Sequence, residues 1–337
     1  MKHIFSLVLF LSILCASASA QEENKAEFKN GFMNHLDLSL TAGTTGLGFD
    51  IAAPIGDYVQ VRAGYSIMPR FKYDMDFGIQ VGDDPKTSQS KFEKLSGLLT
   101  QITGNSVDNH VTMEGRPTYY NFSLLVDVYP FKNNKHWHFT GGFYLGPSKV
   151  ADALNSIKDM QSLLAVNIYN NIYNKVSKGE PIIVMNENDV YLDPAYEEKI
   201  LSYGRMGIHI GDYKNQFLTD EAGNPKLDAN GNPIHKPYMM EPDNEGTVNA
   251  EATANAFKPY LGFGYGGRLF KKNDKYKVSF DCGAMFWGGT PDIVTHDGVN
   301  LTKDLINIRG DVNDYVHLIK GVKVFPVLNL RISRTLF

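Results

Sequence analysis

The sequence predicts an all-β chain: a closed antiparallel up-and-down transmembrane β-barrel of about eight strands, with large insertions that include at least one amphipathic helix. Three observations carry this. Apolar residues fall on every second position over many separate stretches, with Ser, Thr, Gly and Asn between them. Short turns join these stretches in pairs. No run of about twenty apolar residues follows the N-terminus, which excludes a helical span of a bilayer.

The clearest hairpin is Tyr119 to Gly146. Tyr120, Phe122, Leu124, Val126 and Val128 share one face of its first strand, and Asn121, Ser123, Asp127 and Tyr129 the other. After Lys132 to Lys135 the pattern resumes, with Trp137, Phe139, Gly141, Phe143 and Leu145 opposite His136, His138, Thr140, Gly142 and Tyr144. Small residues on the polar face suit the inside of a narrow barrel, where about eight strands leave room only for side chains. The apolar face is therefore read as touching lipid.

The N-terminus begins MKH, continues with the apolar run IFSLVLFLSILCA and reaches Ala18-Ser19-Ala20. This is the layout of a secretory signal peptide over 1–20. Cys15 belongs to that segment and fits a lipoprotein box poorly, so only Cys282 is left and no intramolecular disulfide can form. Residues 21–34 are polar and read as a periplasmic lead. The barrel then occupies 35–337, with insertions at about 68–117, 148–256 and 288–323.

Leu36 to Ala42 and Leu47 to Ala53 alternate around Gly43-Thr44-Thr45-Gly46, either a hairpin or one kinked strand. Val59 to Ile67 follows the turn Pro54 to Asp57. FKYDMDFGIQV and HVTMEG are too charged for lipid and predict an extended hairpin beyond the bilayer, with a short helix or cap over Ser88 to Thr103. Val150, Leu154, Ile157, Leu164, Ile168, Ile172 and Val176 recur at helical spacing and predict one amphipathic helix ending near Gly179. Its polar face is rich in Asn rather than basic, so it is expected to pack on the insertion or the barrel rim. The chain re-enters the barrel at Ala256, turns at Lys271 to Lys275, and ends with the strand Pro326 to Phe337. With Pro54 to Asp57, Lys132 to Lys135 and Lys271 to Lys275 as periplasmic turns, every long insertion falls on the extracellular side, as an even-stranded barrel with both termini in the periplasm requires.

These strands, with DLSLTAGTTGLGFDI, LLVDVYPF, FKPYLGFGYGG, VSFDCGAMFWGGTP and the terminal Phe337, resemble the small outer-membrane β-barrels of the OmpA/OmpX type. The resemblance covers the strands and implies a location in the Gram-negative outer membrane. It also implies assembly by the barrel-assembly machinery, with Phe337 as part of the signal. One departure stands: Leu328, Leu330, Ile332 and Leu336 lie on the parity opposite to Phe337. Fold does not fix activity on this scaffold.

By alternation Asp37, Asp50, Arg62, Asp127, Arg268, Lys277, Asp281 and Arg331 face inward. The reverse phase would set bases against lipid at about 2 to 4 kcal/mol each near the midplane. Inside a narrow lumen they are expected to pair, as a plug or as a gate. Asp220, Asp228 and Asn230 suggest a calcium loop, but the pattern fails at the required glycine and glutamate, leaving solvated turns. His110, His209, His235, His296 and His317 are expected to be surface imidazoles, and His136 with His138 a solvated pair lacking a third metal ligand. No cofactor, no metal site and no nucleic-acid contact are expected. No histidine has a second catalytic residue at recognisable spacing, so a non-enzymatic, monomeric anchor is expected. The length of the insertions points to binding, and the tyrosines of the largest one (Tyr169, Tyr173, Tyr191, Tyr196, Tyr203, Tyr213 and Tyr238) suit protein or glycan contact as well as a self-packed subdomain. Outer-membrane lipid would surround the anchor, and its loops would meet a protein or glycan. The alternatives are a narrow gated pore for small solutes and a lipid-modifying enzyme.

Overall fold

A computed structural model describes residues 35–336 apart from Asn105, Lys132, Asn133, Asn186, Glu187, Glu221, Lys271 and Lys272. The signal segment, the lead and Phe337 lie outside the described residues. In chain order the structure contains β1 (Asp37–Gly43), β2 (Gly46–Pro54), β3 (Val59–Ile67), β4 (Tyr73–Val81), α1 (Pro85–Thr103), β5 (His110–Pro117), β6 (Tyr120–Val128), β7 (Trp137–Leu145) and β8 (Lys149–Asn155). Then come α2 (Met160–Ser177), β9 (Ile183–Met185), β10 (Asn188–Val190), α3 (Pro194–Tyr203), β11 (Met206–Phe217), β12 (His235–Met240) and β13 (Asn249–Thr253). The last elements are β14 (Phe257–Phe270), β15 (Asn273–Phe286), β16 (Asp292–Thr295), β17 (Leu305–Ile306), α4 (Gly310–Gly321) and β18 (Val324–Thr335).

Eight strands close into an antiparallel barrel in the order β1-β18-β15-β14-β7-β6-β3-β2. Closure comes from β18 pairing with β1, Leu40 opposite Ile332. Gly43 to Gly46 is a hairpin turn, with Gly46 at φ 94° so that β2 can reverse directly beneath β1. Period-two alternation separates the two surfaces physically: Leu40 is 69 % exposed on the outside, while Asp127 is 0 % exposed inside. The outside is predominantly apolar, with Phe49, Ile51, Phe122, Phe139, Leu261 and Phe263 exposed, and Arg334 near the end of β18 shares this face, its guanidinium over the Tyr276 ring. No described helix is long and apolar enough to cross a membrane.

At one end of the barrel the connections are short. At the other, three insertions leave and return, and together they form a second structure: a sheet ordered β12-β11-β4-β5-β8-β13-β16, with β17 added to β11. The charged hairpin β4–β5 lies inside this sheet, since β4 also pairs with β11 and β5 with β8. Its helix begins at Pro85 rather than Ser88, because Asp84 caps it by accepting from the Lys86 N–H. Tyr238 of β12 donates to Thr295 Oγ1 at 2.9 Å and reaches Asp297, tying the two outermost strands of the sheet to each other.

The single helix expected from Val150 to Gly179 is two elements. Residues 149–155 are strand β8, held between β5 and β13, and the helix proper starts at Met160 after a 3₁₀ turn. Helical spacing of Val150 and Leu154 is outweighed there by two flanking strands that satisfy the backbone. The buried face of α2 also differs from the predicted stripe: Leu163, Val166, Tyr169 and Asn170 face the core, while Leu164 faces solvent. Asn170 substitutes for a strand neighbour, donating to the Met206 carbonyl at 2.7 Å and accepting from its N–H at 2.9 Å.

One hydrophobic core joins all three insertions, with Val81, Leu95 and Val111 from the first, Leu163, Val166 and Met240 from the second, and Ile293, Leu305 and Val316 from the third. It is separate from the cluster inside the barrel. Asp220 and Asp228 each accept from two backbone N–H groups of their own turn, so the paired Gly-Asn-Pro segments are self-capped turns.

Candidate functional site in the barrel lumen

The inward faces of the strands build two layers. In the first, two guanidiniums meet two carboxylates. Arg62 donates to Asp127 at 3.0 Å and to Asp281 at 3.1 Å. Arg331 approaches Asp127 at 3.6 Å and Asp281 at 3.4 Å, and its Nε donates to Ser279 Oγ at 2.9 Å. Thr140 donates to Asp127 at 2.7 Å, and His138 Nε2 meets Asp281 at 2.8 Å. All four charged residues are buried, so each charge depends on these contacts rather than on water. Glycines make the space: a Cβ at Gly264 would lie 2.4 Å from both Asp281 Oδ1 and the His138 ring.

The second layer, toward the insertions, is apolar and aromatic. Leu125, Tyr144, Tyr260, Met285 and Val327 pack together, with Phe325 against them. Tyr260 lies over Gly262 and Gly283, where a Cβ would stand 2.2 Å and 2.5 Å from its hydroxyl. Between the layers Asp50 Oδ1, Ser66 Oγ and Arg62 Nε have no protein hydrogen-bond partner, and their side chains line a cavity of about 30 Å³, room for a single water.

The eight inward charges predicted from alternation do not all meet. Arg62, Asp127, Asp281 and Arg331 form the cluster, and Asp50 borders it without an ion pair of its own among the described residues. Asp37 and Lys277 pair with each other at 3.1 Å nearer the short-turn end, where Gln60 donates to Asp37 at 3.2 Å. Arg268 is excluded. It pairs with Asp274 at 2.9 Å and is part exposed, because β7 ends at Trp137 opposite Tyr265 and Arg268 lies beyond that last rung. Correct parity placed it on the inner face, but past the rim.

His138, expected to be solvated, belongs to the cluster instead. It is 2 % exposed, and its parity with Thr140 and Tyr144 was the available signal. His136, expected beside it, is exposed and bonds the Gly266 carbonyl at 2.6 Å. Three loop imidazoles are also not free surface groups: His235 Nδ1 lies 2.9 Å from the Tyr213 carbonyl. His209 is held between Gln80 and the Gly211 carbonyl, both at 3.0 Å, and His296 lies 2.9 Å from the Glu241 carbonyl. Among the described residues, no group of three or more His, Cys, Asp or Glu is placed to hold a metal ion.

A closed eight-stranded barrel with an apolar outside, a charge-paired inside and a folded domain on one end defines the class: a small membrane-spanning β-barrel of the outer-membrane type. No family model and no curated protein sequence matches the chain. Among solved structures it is similar to CarO2 of Acinetobacter baumannii, at 13% identity and a TM-score of 0.36, over 91% of this chain and 100% of that one. CarO of the same organism aligns at 14% identity and a TM-score of 0.35, over 91% and 98%. A major outer membrane protein of Thermus thermophilus aligns at 9% identity and a TM-score of 0.28, over 90% and 98%. These loose likenesses assign no role to any residue of this chain.

Proposed function

We propose that the protein is a non-enzymatic outer-membrane anchor that displays a folded extracellular binding domain, with its termini and three short turns in the periplasm. The observation that carries this is the shared core of the three insertions. Loops that merely link strands have no need of a common hydrophobic interior, whereas a binding module has to hold its surface rigid. The two filled layers of the lumen favour a plugged barrel over a conduit. Assembly would follow the resemblance, with the last strand and Phe337 read by the barrel-assembly machinery, and the partner would be a protein or glycan outside the cell.

Replacing all three insertions with tight turns copied from Gly43 to Gly46 tests the division of labour. The shortened barrel should still insert and run faster folded than boiled on a detergent gel, while surface binding disappears. Survival of every surface-binding phenotype in that variant would remove the display function.

A gated pore is the second reading, favoured by one feature: each buried guanidinium reaches two carboxylates and so has a partner to exchange. Planar-bilayer recordings decide it. Steady openings would defeat the plug.

A further inference from the structure

On the insertion domain, β17, the segment after it and α4 line a half-open pocket of about 210 Å³. Ile306, Ile308 and Val316 form its apolar wall. Asn313, His317 and Lys320 line the same cavity at helical spacing along α4, and no side-chain hydrogen bond or ion pair among the described residues engages any of the three. Asn307, also at the cavity, is the one described non-glycine residue at positive φ, 50°.

The charge of this cavity runs against its surroundings. Acidic side chains outnumber basic ones across the three insertions, yet among the described residues the cavity is lined by a lysine and a histidine and by no carboxylate. Its volume is below the roughly 300 to 1,000 Å³ of a drug-sized pocket, which restricts the occupant to about one ring. Amides offer a donor and an acceptor each, matching hydroxyls. The ammonium matches an acid, and the isoleucine wall matches a ring's C–H face.

We infer that this cavity binds one acidic sugar residue, its carboxylate or phosphate held by Lys320 and His317 and its hydroxyls by Asn313. The inference rests on the display reading and names its ligand class. Lys320 lies in the last turn of α4, four residues before Val324 opens β18, so the site stands close to the barrel rim. Two sources share the chemistry: a free or polymeric sugar acid, and the phosphorylated sugar headgroup of a membrane glycolipid.

The test uses the full protein with isotope-labelled isoleucine methyl groups. Glucuronate should shift the Ile306 and Ile308 signals with a dissociation constant on the order of 1 mM, and glucose should bind at least about tenfold more weakly. Lys320→Gln should lose about tenfold in glucuronate affinity, whereas Lys303→Gln, which breaks an exposed pair with Asp292, should not. Nanodiscs separate the sources. Shifts on adding a phosphorylated glycolipid to phosphatidylcholine discs support the headgroup, and shifts only with soluble glucuronate support the sugar acid. Unmoved methyl signals in every arm, or equal response to glucose and glucuronate, overturn the proposal. The display reading would survive that result, since it is decided separately by whether the variant with its insertions replaced still inserts and loses surface binding.

Discussion

Arg62 and Arg268 have the same inward parity in the sequence, and the structure assigns them opposite energetic weights. Truncating Arg62 to alanine leaves Asp127 and Asp281, both buried, to share the more distant Arg331. Removing one partner of a buried ion-paired group costs about 3 to 5 kcal/mol, because the remaining charge has no water to return to. That is a loss of between about one hundredfold and several thousandfold in the folding equilibrium. Among the described residues Arg268 pairs only with Asp274, whose side chain is 60% exposed, so its removal should cost roughly 0 to 1 kcal/mol. The assay is reversible denaturant unfolding in lipid vesicles, followed by tryptophan fluorescence and by gel mobility of the unheated sample. Equal losses for the two variants, or a smaller loss for Arg62→Ala, would refute the claim that position along the barrel axis, rather than parity alone, sets the value of an inward charge.

Three further outcomes are expected. Gly264→Ala drives a methyl into Asp281 and His138, and should destabilise the barrel by about 1 to 3 kcal/mol in the same unfolding assay. Asn170→Ala strips the Met206 backbone of both its side-chain contacts and should cost about 1 to 3 kcal/mol. Faster hydrogen exchange should then appear in β11 and α2 while barrel amides stay protected. His209 provides a pH dependence: burial, and secondarily the nearby Arg309, holds its imidazole below the ordinary histidine value. Between about 6.5 and that lower value the unfolded chain carries a proton that the folded chain refuses, so the domain is fully stable above about 6.5 and loses stability as pH falls through this window. His209→Gln should flatten the slope of domain melting temperature against pH; an unchanged slope would assign it to other groups.

The inner and outer faces of the barrel were legible from single residues because a strand fixes them locally. Val126 and Asp127 must point apart whatever the rest of the chain does. The same logic placed His138 beside Thr140, although its role as a partner of Asp281 needed the opposite strand. The stretch from Val150 to Asn155 was misread for a comparable reason: its spacing allows a helix, and β5 and β13, distant in sequence, make it a strand. Nothing local reports that the three insertions share one core, since Leu95, Val166 and Val316 are each consistent with a small isolated helix.

The sequence by itself determined the stretches that form the barrel strands and which of their side chains face lipid or lumen, because alternation is imposed residue by residue by backbone geometry. Tertiary structure alone decided which inward charges stand at the same height, which leave the barrel, and which loops fold together. Those depend on the tilt and stagger of strands around a closed sheet and on contacts between segments far apart in the chain, and neither is written in any one stretch of residues.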